Sequence, residues 1–180
     1  MSSSYVLGVL AGAVVAIAIV VLVALLIKKV GNTNGKFKAE YDERQNAARG
    51  KAFGYAFYAM LIAVGIELVY HVSCPTGFLT LNPMYFDISA LMLGLLVYAS
   101  VSVWKNAYIG INQTFKRSAV LLLLIAVFNL AIGYINLRGA GGPSGFVNIL
   151  LGILIIVICV EMAIKQHLDS KHADDDAGED

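Results

Sequence analysis

Residues 36–55 read KFKAEYDERQNAARGKAFGY, the one dense block of mixed charge in the chain, and they run directly into an apolar stretch. Around this block lie long apolar runs, short connectors and an acidic C-terminal stretch. Of the 180 residues, 59% are hydrophobic and 14% charged, against about half apolar and a quarter charged in soluble domains. Lipid is therefore the solvent that most of the sequence expects. The formal net charge of +1 gives no global pull toward nucleic acid, so the positions of the charges carry the information.

Outward from the block, the apolar runs predict an all-α polytopic membrane protein with five transmembrane helices, at about 5–27, 51–72, 84–104, 118–137 and 146–164. Each is near the 20 apolar residues that cross a hydrocarbon core. The first is expected to be an uncleaved anchor, because the positive pair Lys28 and Lys29 follows the apolar run instead of preceding it. Gly8, Gly12 and Ala16 recur every four residues along it, a face on which another helix can pack closely. GNTNG at 31–35 supplies turn chemistry before the charged segment, 28–50. In the second span Ala52, Ala56, Ala59 and Ala63 put small residues near one face. Cys74-Pro75 and Asn82-Pro83 mark a loop, and the glycine-rich stretch from Arg138 to Gly145 marks another. Residues 1–168 thus form the membrane domain, and 169–180 an acidic disordered tail.

Lys and Arg set the orientation. Lys28, Lys29, Lys36, Lys38, Arg44, Arg49 and Lys51 follow the first span, Lys105, Lys116 and Arg117 the third, and Lys165 and Lys171 the fifth. The opposite side holds Arg138 alone. The expected topology is N-terminus out and C-terminus in.

Ionisable and polar groups at membrane depth are candidate sites because burying them in lipid is expensive. Glu67 and His71 stand four apart on one face of the second span, able to exchange a proton or to hydrogen-bond each other. Asp87, at the start of the third span, can join them or stabilise its helix start. Asn129, the deepest amide, is expected to bond a neighbouring helix. Glu161 is expected to pair with Lys165 within one helix. The two cysteines, Cys74 and Cys159, lie at opposite depths in this topology and are not expected to bridge. No nucleotide, serine-hydrolase or metalloprotease motif occurs, and no metal or cofactor is expected.

Tyr41-Asp42-Glu43-Arg44-Gln45, followed by Arg49-Gly50-Lys51-Ala52, resembles a stretch in small uncharacterised bacterial integral membrane proteins, in which D-E-R-Q precedes a membrane helix. The resemblance covers about 40–58 and implies a multi-pass protein of the bacterial plasma (inner) membrane, with no assigned reaction. Read by itself, the mixed-sign set Asp42, Glu43, Arg44, Arg49 and Lys51 suits docking onto a protein surface, or onto another part of this chain, better than onto a headgroup layer. The expected function is a non-enzymatic subunit or accessory of a membrane assembly, with the bilayer and a membrane-protein partner or second copy as contacts. The alternative is a small ion-coupled carrier using Glu67, His71 and Asp87.

Overall fold

A computed structural model describes residues 39–73, 83–139 and 143–177, together with Val21 and Leu25. These residues form four α-helices: α1 (Glu43–Ser73), α2 (Pro83–Trp104), α3 (Phe115–Arg138) and α4 (Pro143–Ala177). All four are long and apolar enough to cross a membrane. They correspond to the second to fifth expected spans. The first expected span, with Gly8, Gly12 and Ala16, and the loop residue Cys74 lie outside the described residues.

The helix limits follow from local chemistry. Asp42 caps α1: its Oδ1 accepts from the Gln45 backbone N–H at 2.6 Å, while Gln45 Oε1 accepts from the Asp42 N–H at 3.3 Å. This reciprocal arrangement satisfies two donors that would otherwise be orphaned at a helix start. Gly50 does not interrupt the helix, which runs unbroken from Glu43 to Ser73. Both α2 and α4 begin on a proline, Pro83 and Pro143, where the missing N–H has no intrahelical partner to lose. At the end of α2, Asn106 takes a left-handed φ of 54°. The N–H of Ala107 then bonds to Ser102 O at 2.8 Å and that of Asn106 to Val103 O at 3.0 Å, the paired bonds that close a helix and turn the chain away.

The far end of α4 departs from expectation. Backbone helix continues through 169–177, which the acidic composition suggested would be a disordered tail. Lys165 Nζ pairs with Asp169 one turn on, and extending an existing helix by a residue is far easier than starting one.

Packing orders the helices as a row. α1 packs on α2, α2 also packs on α4, and α4 packs on α3, whereas α1 and α3 do not meet. Because lipid tails are as apolar as leucine, helix association in a membrane depends on close fit more than on hydrophobicity. Small residues supply that fit. Ala52 and Ala56 are buried on α1, and a Cβ placed on Gly94 of α2 would lie 3.4 Å from Ala56 O. Ala99, Val103, Ala126, Leu154, Ile155, Ile158, Cys159 and Met162 make a buried core centred on α4. Tyr108 and Ile109 of the α2–α3 connection and Phe115 at the start of α3 pack against it. The core therefore lies toward the end of the helices at which α1 and α3 begin.

Candidate functional site

At that end, residues 39–45 dock onto the α2–α3 connection, 105–114. The backbone of Glu40 makes two of the bonds: Ile111 N donates to Glu40 O at 2.8 Å, and Glu40 N donates to Asn112 Oδ1 at 2.9 Å. Gln45 makes the others, its Nε2 donating to Asn106 O at 2.8 Å and to Ile109 O at 3.2 Å. One amide thus caps α1 with its oxygen and clamps the connection with its nitrogen. A turn closed by Gln113 N to Gly110 O, 2.9 Å, brings the chain past Glu40. Gly110 must be glycine for this approach, since a Cβ there would lie 2.7 Å from Glu40 O.

The same docking positions Arg49. Its guanidinium lies 3.9 Å from the centroid of the Tyr41 ring and 6.0 Å from that of Tyr98, distances at which cation–π attraction is effective. No carboxylate pairs with Arg49 among the described residues. Beside it a cavity of about 320 Å³ is lined by Tyr41, Arg49, Tyr98, Ser102 and Tyr108 on one side and by Ser118, Leu121, Leu122 and Ile125 of α3 on the other. Burial pushes the Tyr108 phenol up to about 12, with Cys159, Tyr41 and Tyr98 adding to the effect. It therefore stays neutral throughout the physiological range.

Of the proposed docking set, Asp42 is the cap of α1 and Arg49 is engaged within the chain, while Glu43, Arg44 and Lys51 are exposed. Asp42, which its charge places in that docking set, has instead a local role as the cap of α1, one that the D-x-x-Q spacing encodes. Gln45, Tyr41, Tyr98, Gly110 and Asn112 were not anticipated. The capping-box spacing could have identified Gln45. Nothing local in the sequence connects position 41 or 49 with position 98.

The second candidate cluster forms only in part. Glu67 is buried, and its Oε1 lies 3.6 Å from His71 Nε2. His71 and Tyr70 contact Phe86 of α2 edge-on and tilted, at centroid distances of 6.2 and 5.9 Å. Asp87 is exposed, just beyond the first turn of α2, and no ion pair or hydrogen bond joins it to Glu67 or His71. Asn129 corrects an expectation: its Nδ2 donates to Ile125 O of its own helix at 2.8 Å. The i−4 carbonyl lies within reach of a short amide side chain, so it competes with a partner on another helix.

Glu161 is the other correction. It is not held by Lys165, which turns to Asp169 on the following turn. Ser100 Oγ of α2 donates to Glu161 Oε1 at 2.9 Å, while Oε2 is buried without a hydrogen-bond partner. The face that α4 presents to α2 thus decided the pairing, not sequence spacing. Among the described residues no three His, Cys, Asp or Glu side chains are grouped as metal ligands would be. Compared with protein-family models, with curated proteins and with solved structures, the chain matches none.

Proposed function

We propose that this chain is a non-enzymatic subunit or accessory of a larger assembly in a bacterial plasma membrane, crossing it five times with its N-terminus outside, and that α1 carries the contact surface. The supporting observation is an unequal use of glycine. A Cβ at Gly94, Gly133 or Gly152 would come within 2.4–2.7 Å of a neighbouring helix's side chain, whereas at Gly50, Gly54 and Gly65 of α1 it would meet nothing within 4 Å among the described residues. Glycine inside a helix costs about 0.5–1 kcal/mol relative to alanine, and close helix approach is what offsets this elsewhere in the molecule. Gly50 and Gly54 stand four apart, and Gly65 falls on the same stripe three turns on, a spacing suited to a further helix. Glu43, Arg44 and Lys51, exposed at the start of α1, can fix the register of such a helix by charge.

Gly54→Leu fills the stripe at a position where an added Cβ meets no neighbour among the described residues. It should cut co-purification of a membrane-protein partner, or of a second tagged copy, by roughly tenfold without lowering the melting temperature; tenfold corresponds to about 1.4 kcal/mol of lost contact. Arg44→Glu should lower it more than Arg44→Ala, because reversal places like charges together. Equal retention of every partner by all three variants at matched expression would remove the docking reading.

A carrier is the second reading, and Glu161 is the observation that favours it. A carboxylate oxygen buried at membrane depth with no partner is costly unless a proton or cation visits it. On this reading Glu161→Gln abolishes ion flux in proteoliposomes while assembly persists. On the accessory reading it changes neither, since the amide can still accept from Ser100.

A further inference from the structure

The cavity beside Arg49 has no role in helix docking through α1, yet its chemistry is sharply divided. One end holds a guanidinium whose Cζ lies 3.9 Å from the centroid of the Tyr41 ring. A guanidinium carries its N–H donors around the edge of its plane, where a carboxylate or phosphate can meet them, and attraction to a ring does not use them up. Among the described residues no carboxylate pairs with it, and the sequence has no Asp or Glu before Glu40. A half-buried cation with unused donors calls for an anion.

The other wall is aliphatic. Leu121, Leu122 and Ile125 continue the lining along α3 away from the connection, and Ile125 lies about 10 Å farther along the axis than Ser118 at 1.5 Å per residue. Among the described residues α1 and α3 do not meet, and the cavity lies across the space between them, at the depth of the lipid headgroups and first acyl carbons if these helices span a bilayer. Lys51, Lys105, Lys116 and Arg117 are exposed at the same end and would enrich anionic lipid there, each by about 1 kcal/mol. A small soluble anion would leave the aliphatic wall unused, and a zwitterionic phospholipid would bring its own ammonium beside Arg49 and the exposed Lys and Arg side chains.

We propose that this cavity binds one anionic phospholipid from the surrounding leaflet, its phosphate on the edge of Arg49 and the first part of one acyl chain along Leu121, Leu122 and Ile125. At about 320 Å³ the site is at the small end of ligand pockets, so the remainder of the lipid lies outside it, between the helices.

The full-length protein in mild detergent, offered phosphatidylglycerol or phosphatidylcholine of matched chains and probed by native mass spectrometry, tests the assignment. One phosphatidylglycerol should be retained, roughly tenfold tighter than phosphatidylcholine. Arg49→Gln should bring the two lipids to within about twofold, and Ile125→Trp, which fills the aliphatic wall without touching Arg49, should weaken both. Equal retention of the two lipids by the wild type overturns the proposal. Displacement of the lipid by millimolar inorganic phosphate overturns it as well, in favour of a free-anion site. Should Arg49→Gln melt early, Ile125→Trp decides alone: undiminished phosphatidylglycerol retention in that variant places the lipid elsewhere.

Discussion

Gly133→Val will force α3 away from α4 and destabilise the protein more than the loss of any single hydrogen bond at the start of α1. A Cβ at position 133 would lie 2.6 Å from Ile149 Cγ1, 3.0 Å from Ile149 N and 3.1 Å from Gly145 O. The side-chain atom can rotate away, but the two backbone atoms belong to the first turns of α4 and can move only with that helix. Overpacking a fitted contact costs about 1–3 kcal/mol. A branched side chain against rigid backbone should reach the upper part of that range, about 3 kcal/mol. Within a membrane the displaced helices do not regain the loss through hydrophobic contact, because lipid solvates their apolar faces equally well. Gly152→Val should behave similarly, with Ala126 O at 3.2 Å and the Leu130 side chain at 2.7 Å from the added atom. Gly65→Ala is the opposite case. With nothing within 4 Å of it, the substitution should stabilise α1 by about 0.5–1 kcal/mol through helix propensity. Denaturation in mixed micelles, followed by circular dichroism, ranks the three. If Gly133→Val and Gly65→Ala unfold together, the α3–α4 contact is not fitted as described.

These glycines mark the boundary of what the sequence could reveal. Spans matching α1 to α4 were legible because 20-residue apolar runs and proline-bearing loops are local signals, and Pro83 and Pro143 each begin a helix close to where composition placed it. Which helix touches which is not a local property. Gly54 and Gly133 look alike in an apolar run, yet among the described residues only Gly133 faces a neighbour. Glu161 had two available partners, Lys165 one turn away and Ser100 on another helix; choosing between them requires the position of α2. Asn129 had the same ambiguity, resolved in favour of its own backbone. The polar groups at the start of α1 were legible in part. The capping spacing from Asp42 to Gln45 is present in the sequence, but mixed charge drew attention to a surface role instead. Arg49 was singled out, whereas its ring partners were not, since Tyr98 is reached only by folding α2 back beside α1.

Gln45→Ala should have the second-largest effect, because one side chain there does two jobs that can be separated. Its oxygen completes the cap of α1 by accepting from Asp42 N at 3.3 Å; its nitrogen donates to Asn106 O at 2.8 Å and Ile109 O at 3.2 Å. Losing a helix-start interaction costs about 1 kcal/mol, and losing the two hydrogen bonds from Nε2, one of them long at 3.2 Å, together about another 1–2 kcal/mol. Alanine should therefore destabilise the protein by about 2–3 kcal/mol and speed amide exchange across 105–114. Gln45→Glu divides this sum. A carboxylate still accepts from Asp42 N, and Glu is as good as Gln in a capping box, but it cannot donate to either carbonyl and instead turns oxygen toward oxygen. The glutamate variant should hence keep the start of α1 protected from exchange while releasing the connection, at a cost of about 1–2 kcal/mol. The release should reach the strap at Glu40 as well. Its two bonds to Ile111 and Asn112 hold the same connection, so Gln45→Ala and Asn112→Ala should be coupled by about 0.5 kcal/mol or more in a double-mutant cycle. Strict additivity of that pair, or wild-type exchange at 105–114 in the glutamate variant, would mean that the connection is held by the core beneath it and not by the start of α1.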